Sequence, residues 1–349
     1  MRLLYDNLIY YLQINGGIST YWYELTSRFL KEDQISISFY EPNRKTENVL
    51  RRKLQLLPEQ IKRTLSAPVL ERLIKLPHFD GTHIFHSSYF RLPIKRSSAK
   101  VVTTIHDFTH EKYYSGLRTW SHQYFKQEAV KASERIIVVS EHTKNDLLNF
   151  YPGIDESLVQ VIYHGASPEY KVIQEITDNR EAPFFLFVGS REHYKNFDFA
   201  VKITAKLKDF KLYIVGNPLN EGEQKMLKKM LGKRYRSFQN IDNEELNLLY
   251  NTAFCLLYPS SNEGFGIPML EAMQAGCPFV ALNASSIPEV AGEAGVMLET
   301  LNVDEAIGAI ETITNLRDTI VDRGLLRAQK FSWDRCFDET YGLYRSIAS

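Results

Sequence analysis

The chain is predicted to be an α/β protein of two doubly wound, Rossmann-like domains. Three observations predict this. Its 349 residues exceed the roughly 250–300 at which a single hydrophobic core stops growing. Short, nearly continuous apolar runs alternate with helical patterns along its whole length, as parallel strands covered on both faces do. A polar stretch with little periodicity at 165–183, containing Pro168 and Pro183, splits that alternation into two halves. Strands are expected in the first half at 2–5, 35–40, 83–86, 101–106, 135–140 and 159–163, with helices at 18–31 and 118–133 among them. The second half repeats the scheme, with strands at 184–189, 211–215, 254–258 and 278–282. In the terminal segment Trp333, Phe337, Tyr341 and Tyr344 recur at helical spacing.

Composition narrows the function. Hydrophobic residues make up 44% and charged residues 24%, which excludes a disordered or collagen-like chain. Net charge is zero; residues 1–165 carry +5 and the remainder −5, too weak an asymmetry for a nucleic-acid-binding protein. Cys255, Cys277 and Cys336 lack metal-type spacing and leave an odd thiol, so a reduced, cytoplasmic compartment is expected. Asp6 interrupts the N-terminus before a signal-type apolar region develops, and no apolar run reaches the ~20 residues of a membrane span.

Ligands of open α/β sheets bind beyond the carboxyl ends of strands, so residues that follow strands are the candidates. The strongest candidate is the run from Glu263 to Glu271, after the expected strand 254–258. Pro268 suits the first turn of a helix, and Gly264 and Gly266 allow backbone N–H groups to face an anion. Gly264, Phe265, Gly266 and Ile267 would thus receive a diphosphate, flanked by Glu263 and Glu271 as acceptors for sugar hydroxyls. A second candidate is the loop 188–196, where Arg191 and Lys195 could both reach a pyrophosphate; alone it reads equally well as a solvated loop. A third is Asn15-Gly16-Gly17, between the first strand and first helix, which is either a phosphate-facing turn or only a tight turn. No G-x-G-x-x-G dinucleotide fingerprint is present. His106, at a strand end, could hydrogen-bond a substrate hydroxyl. With Asp107 and His110 it lacks the third well-spaced ligand of a metal site, so no metal is expected.

The same residues carry a resemblance. Gly16-Gly17-Ile18, His106-Asp107, Val188-Gly189 with Arg191 and Lys195-Asn196, the E-x7-E run Glu263–Glu271, and Ser286–Val290 followed by Gly292–Gly295 together resemble the GT-B-fold retaining glycosyltransferases of family 4, in order and spacing, across nearly the whole chain. Many members space the Arg and Lys five apart, whereas Arg191 and Lys195 are four apart; the Lys-Asn version resembles bacterial O-antigen and capsule hexosyltransferases, including mannosyltransferase-like members. The resemblance implies an N-terminal acceptor-binding domain at 1–165 and a C-terminal donor-binding domain at 166–331, facing each other across a cleft. It further implies that the helix at about 332–349 crosses back onto the first domain. It implies that Arg191 and Lys195 hold the diphosphate of a GDP- or UDP-hexose, that Glu271 accepts the ribose hydroxyls, and that Glu263 contacts the hexose. By the same resemblance His106 lies near that hexose on the acceptor side, Gly16 and Gly17 approach the phosphates or acceptor, and neither a metal nor a prosthetic group is needed. The acceptor would be a glycan or a lipid-linked glycan of surface polysaccharide synthesis. The competing readings are a non-catalytic sugar-nucleotide-binding protein and an epimerase or phosphorylase of the same architecture.

Residues 44–75 carry a net charge of +6 with apolar residues interleaved. They are expected to form basic amphipathic helices, broken near Pro58 and Pro68, that either lie on an anionic membrane or pack on the first domain with a solvated basic face. The former would place the protein on the inner face of the membrane.

Overall fold

The computed structural model describes residues 1–14, 16–67, 71–77, 83–94, 98–175 and 183–348. The chain divides into two compact units, Met1–His164 with Trp333–Ser349, and Gly165–Ser332.

In the first unit, β1 (Arg2–Asp6), β2 (Ser36–Pro42), β3 (Ile61–Thr64), β4 (Ile84–Ser87), β5 (Lys100–Ile105), β6 (Arg135–Val138) and β7 (Val159–Val161) form a seven-stranded sheet. Its order is β3-β2-β1-β4-β5-β6-β7 and every pairing is parallel. Leu3, Leu4 and Tyr5 of β1 are all fully buried, as a central strand covered on both faces requires. Tyr5, Trp22, Phe29 and Phe39 pack with Trp333, Phe337 and Tyr344 of the terminal helix Trp333–Ala348. That helix therefore completes the core of the first unit. Fully burying a side chain of this size contributes about 1.5–3 kcal/mol, so three such anchors hold the helix against the first unit.

Sheet order reverses between β1 and β4, where an open sheet offers its binding crevice. Here that point is filled by the chain itself. Asp6 and Arg91, both buried, pair through Nε and Oδ2 at 2.9 Å, and the Ser87 hydroxyl donates to the same oxygen at 3.1 Å.

The second unit holds β8 (Phe184–Val188), β9 (Lys211–Val215), β10 (Tyr235–Phe238), β11 (Cys255–Tyr258), β12 (Phe279–Leu282) and β13 (Val296–Leu298), in the order β10-β9-β8-β11-β12-β13. These strands too are all parallel. The two doubly wound sheets agree with the fold class read from the sequence. Three strands were not expected: β3, β10 and β13. Each is short; β3 and β10 have exposed or only partly buried positions and polar residues, and β13 is only three residues long, too brief for an apolar run to mark a strand.

The expected basic helices of 44–75 are a correction. The described part of this segment forms a one-turn helix, Val49–Lys53, two short 3-10 turns, Pro58–Gln60 and Glu71–Leu73, and the edge strand β3; Pro68 lies outside the described residues. The physical reason is electrostatic as well as steric. Glu41, fully buried on β2, draws in Arg51 and Arg63, while Arg44 forks onto the buried Glu71 at 3.0 Å through both Nε and Nη2. Part of the positive charge thus neutralises interior carboxylates instead of forming a basic face.

Candidate active site

In the second unit, order reverses between β8 and β11, so the loops that follow these strands emerge side by side. Gly189 leaves β8 with φ +127°, and the carbonyl of Gly189 lies so close to Gly216 that a Cβ there would meet it at 2.4 Å. The β8 loop then turns through His193–Lys195 into Asn196, which adopts a left-handed conformation at φ 50°. The Asn196 side-chain amide donates to the Pro259 carbonyl at 2.8 Å and to the Ser261 hydroxyl at 2.7 Å. The Ser261 amide returns a hydrogen bond to the Tyr194 carbonyl at 2.7 Å. The two loops are therefore fastened together before any ligand arrives.

This fastening sets Lys195 against Glu263, and the two side chains form an ion pair with both largely shielded from solvent. The Glu263 backbone is held in turn by the next loop, its amide donating to the Ser285 hydroxyl at 2.9 Å and its carbonyl accepting from the Ser286 hydroxyl at 3.0 Å. Gly266, at φ +104°, caps the helix Ile267–Gln274, with Pro268 in its first turn. Phe265 is buried with its ring edge-on to Phe331. Its side chain thus anchors the loop, and any contact it makes with an anion belongs to the backbone. One turn into the helix, Glu271 accepts a hydrogen bond from the Tyr250 hydroxyl at 3.0 Å. Burial pushes the Glu271 carboxyl up to about 7, against the opposing influence of the Tyr250 and Tyr170 hydroxyls.

Arg191 is engaged by groups of its own unit. Its guanidinium pairs with Glu223 at 2.8 Å and donates to the carbonyls of Asn217 and Pro218 at 2.9 and 2.8 Å. Only Nη1 has no hydrogen-bond partner among the described residues. Arg191 therefore ties the β8 loop to the start of the helix Glu221–Leu231, where Glu223, its partner, forms a capping box with the N-cap Asn220. Glu223, Tyr250, Tyr170 and Ser285 were not legible as site residues, because each is recognised only by a partner distant in sequence.

In the first unit, Gly16 and Gly17 stand where the helix Gly17–Phe29 begins, and the Gly16 carbonyl accepts the Ser19 hydroxyl at 2.8 Å; Asn15 lies outside the described residues. His106 follows β5, its ring stacked on His164 with centroids 5.4 Å apart and edge-on to Tyr21 at 5.0 Å. Burial lowers its pKa to about 4 despite the adjacent Asp107 carboxylate, so at neutral pH it is an uncharged imidazole with one donor and one acceptor nitrogen. Burial also works to raise the pKa of Asp107, but Lys126 and the Thr109 amide outweigh it and keep that carboxyl ionised. Ser140 caps the helix Glu141–Phe150, accepting the Thr143 amide at 3.0 Å. Among the described residues no group of three or more His, Cys, Asp or Glu is placed to hold a metal ion, and no helix is long and apolar enough to cross a membrane.

A crevice at a reversed pair of parallel strands, lined by a lysine, two glutamates and a glycine-capped helix start, suits a nucleoside diphosphate attached to a sugar. The matches to known families give the class of enzyme to which this crevice belongs. Residues 15–170 match the family described as Glycosyltransferase Family 4, and residues 170–323 match the one described as Glycosyl transferases group 1. The chain is a glycosyltransferase, with a family 4 part followed by a group 1 part. This glycosyltransferase is 27% identical to the O-antigen chain mannosyltransferase B of Escherichia coli, over 76% of this chain and 74% of that one. It is 24% identical to the O-antigen chain mannosyltransferase RfbU of Salmonella typhimurium, over 69% and 68%. Among solved structures it superposes on sucrose-phosphate synthase from Thermosynechococcus elongatus with a TM-score of 0.75 at 15% identity, covering 99% of both chains. It superposes on Anabaena HepE, solved with UDP-glucose, with a TM-score of 0.74 at 15% identity, covering 99% of this chain and 100% of that one. These likenesses establish the GT-B fold, and the family matches, with the mannosyltransferase relatives, establish a hexosyltransferase.

Proposed function

We propose that this glycosyltransferase moves a hexosyl group, with retention of configuration, from a GDP- or UDP-hexose to a glycan or lipid-linked acceptor in surface-polysaccharide synthesis. The Lys195–Glu263 pair at the β8/β11 crevice carries the reading. Lys195 offers a point charge to the leaving diphosphate, and the start of the helix Ile267–Gln274, with Gly264, Phe265, Gly266 and Ile267 before and at it, adds backbone dipoles. Glu263, once its lysine turns to the diphosphate, faces the hexose hydroxyls. Glu271 accepts the ribose hydroxyls. Arg191 holds the loop that carries Lys195 and has Nη1 left to offer a phosphate oxygen. In the first unit, neutral His106 serves a sugar hydroxyl, and Gly16 and Gly17 open the start of a helix to acceptor or phosphate. The O-antigen relatives favour a mannosyl donor and a polysaccharide acceptor.

The test is a panel of nucleotide sugars read by thermal shift, since a ligand that binds only the folded state raises the melting temperature, followed by transfer from the responding donor to glycan and lipid-linked acceptors. A GDP- or UDP-hexose should shift the transition and support transfer in the presence of EDTA. A panel with no stabilising nucleotide sugar overturns the donor site, and turnover of donor without acceptor points to an epimerase.

The proposed peripheral location, on the inner, cytoplasmic face of a membrane, rests on the basic residues of 44–75 left exposed, Lys45, Arg52, Lys53, Lys62, Arg63 and Lys75, with Leu57 and Leu65 also exposed. Basic residues near an anionic bilayer contribute about 1 kcal/mol each. Sedimentation with anionic vesicles at low salt that is unchanged by Arg52/Lys53→Glu refutes it.

A further inference from the structure

Away from the β8/β11 crevice, the first unit contains a pocket of about 340 Å³, within the size range of small-ligand sites. Its wall is one face of the helix Leu117–Ala132, where Trp120, Gln123, Tyr124 and Gln127 recur at helical spacing. Trp120 and Tyr124 are 65% and 46% exposed, and their rings stack with centroids 5.8 Å apart and 18° between planes. Two exposed aromatic rings stacked face to face on a helix are an apolar surface left open to solvent, a feature that marks binding sites.

Polar groups converge on the same pocket. Glu111 lines it with a side chain only 5% exposed. One carboxylate oxygen receives the buried Lys126 ammonium at 2.9 Å, while the other, Oε1, has no hydrogen-bond partner among the described residues. Tyr151 also lines the pocket, and its buried hydroxyl likewise lacks a partner among them. Both atoms are buried, and a buried polar group is ordinarily satisfied by a partner or an ordered water. The amides of Gln123 and Gln127 add donors and acceptors from the helix face.

We propose that this pocket is a subsite for one pyranose residue of a glycan. A flat aromatic platform matches the C–H face of a pyranose, which is apolar and carries the slight positive charge that ring faces attract. A carboxylate, a phenol and two primary amides match its hydroxyls, which both donate and accept. An acyl chain offers nothing to the partly exposed Gln123 and Gln127 amides, so the polar lining favours sugar. Lys126 connects the pocket to the catalytic end of β5: the ammonium that binds Glu111 also donates to the Asp107 carbonyl at 2.9 Å, next to His106. A sugar held here would therefore bear on the segment that carries His106. The glycan as acceptor rests on the proposed function; the pocket's affinity for sugar does not.

The experiment uses intrinsic fluorescence. Of the three tryptophans, Trp22 and Trp333 are buried and Trp120 is exposed, so stacking at Trp120 is visible directly. The full chain is titrated with methyl α-glycosides of mannose, glucose, galactose and N-acetylglucosamine and their α-linked disaccharides, and separately with dodecanoate. At least one saccharide is expected to change the emission saturably, Trp120→Ala to abolish that change, and Glu111→Gln to weaken binding at least about tenfold. Should Glu111→Gln fail to fold, Gln127→Ala and the exposed Trp120→Ala keep the test decisive. The proposal is overturned by no saturable saccharide response, by a response to dodecanoate alone, or by a saccharide response that survives Trp120→Ala. Thermal stabilisation by GDP and UDP is measured on the same samples. Saccharide binding without nucleotide binding defeats the proposed function and spares the pocket, and the reverse result defeats only the pocket.

Discussion

The Lys195 ammonium is paired with the Glu263 carboxylate across the crevice between β8 and β11. The cation expected to meet the donor diphosphate is therefore already neutralised by the acid expected to meet the hexose. A donor bound as proposed would divide this pair, so part of its binding energy would go into assembling the reacting constellation, where it can favour the transition state.

Lys195→Ala and Glu263→Gln are expected to separate binding from transfer. Lys195→Ala should weaken binding of the nucleoside diphosphate at least about tenfold, the scale of one charge-assisted hydrogen bond, and reduce transfer further. Glu263→Gln should bind the nucleoside diphosphate as well as or better than wild type, because Lys195 is released, while transfer falls by about 100-fold or more. Calorimetry with the diphosphate, alongside transfer rates, checks both; parallel loss of binding in the two variants contradicts the pairing argument.

Glu271 is expected to make both stability and, under the proposed role, nucleotide binding depend on pH. Its folded pKa, about 7, lies above that of an unfolded glutamate, so between roughly pH 4.3 and 7 the folded state holds the extra proton and stability falls as pH rises. Glu271→Gln is expected to match wild type near pH 4.5 and to be more stable at pH 8 by on the order of 1–3 kcal/mol. Nucleotide affinity should move the other way, rising in wild type from pH 6 to 8 as the carboxylate forms and staying flat in the variant. Denaturant unfolding and nucleotide titrations at several pH values measure the two effects.

Arg191 is expected to act on the loop first and on the phosphate second. Its bonds to Glu223, Asn217 and Pro218 mean that Arg191→Met should lower the melting temperature as well as nucleotide affinity. Arg191→Lys, which cannot fork across these acceptors, should restore little of either. An Arg191→Met protein with unchanged melting temperature and lost nucleotide binding would show the guanidinium to be a direct phosphate ligand alone.

The terminal helix is expected to be indispensable to the first unit. The Tyr344 hydroxyl meets that of Tyr5 at 2.9 Å and also bonds His86, whose imidazole burial keeps neutral with a pKa of about 3. Tyr344→Phe leaves both partners buried with one bond fewer and should cost about 1–3 kcal/mol in denaturant unfolding. Truncation after Ser332 exposes the faces of Phe29 and Tyr5 and should yield insoluble protein.

Much of the architecture follows from local sequence. Interior strands such as 184–188 are apolar at every position, and that run identifies a buried parallel strand wherever it occurs. Within the Glu263–Glu271 run, a glycine at positive φ, a proline in the first turn and two glutamates are set by neighbours a few residues away, so the helix start was legible before any coordinates. The tertiary structure decided what distant residues do to one another. Lys195 and Glu263 lie 68 residues apart, Arg191 and Glu223 lie 32 apart, and no local pattern says which charge meets which. The same holds for 44–75, where the count of basic residues implied an open cationic face, yet Arg44 and Arg51 are spent on the interior carboxylates Glu71 and Glu41. Periodicity records which face of an element is apolar. Whether a charge is solvated, paired or shifted in pKa depends on the groups that folding brings within a few ångströms, and those come from other parts of the chain.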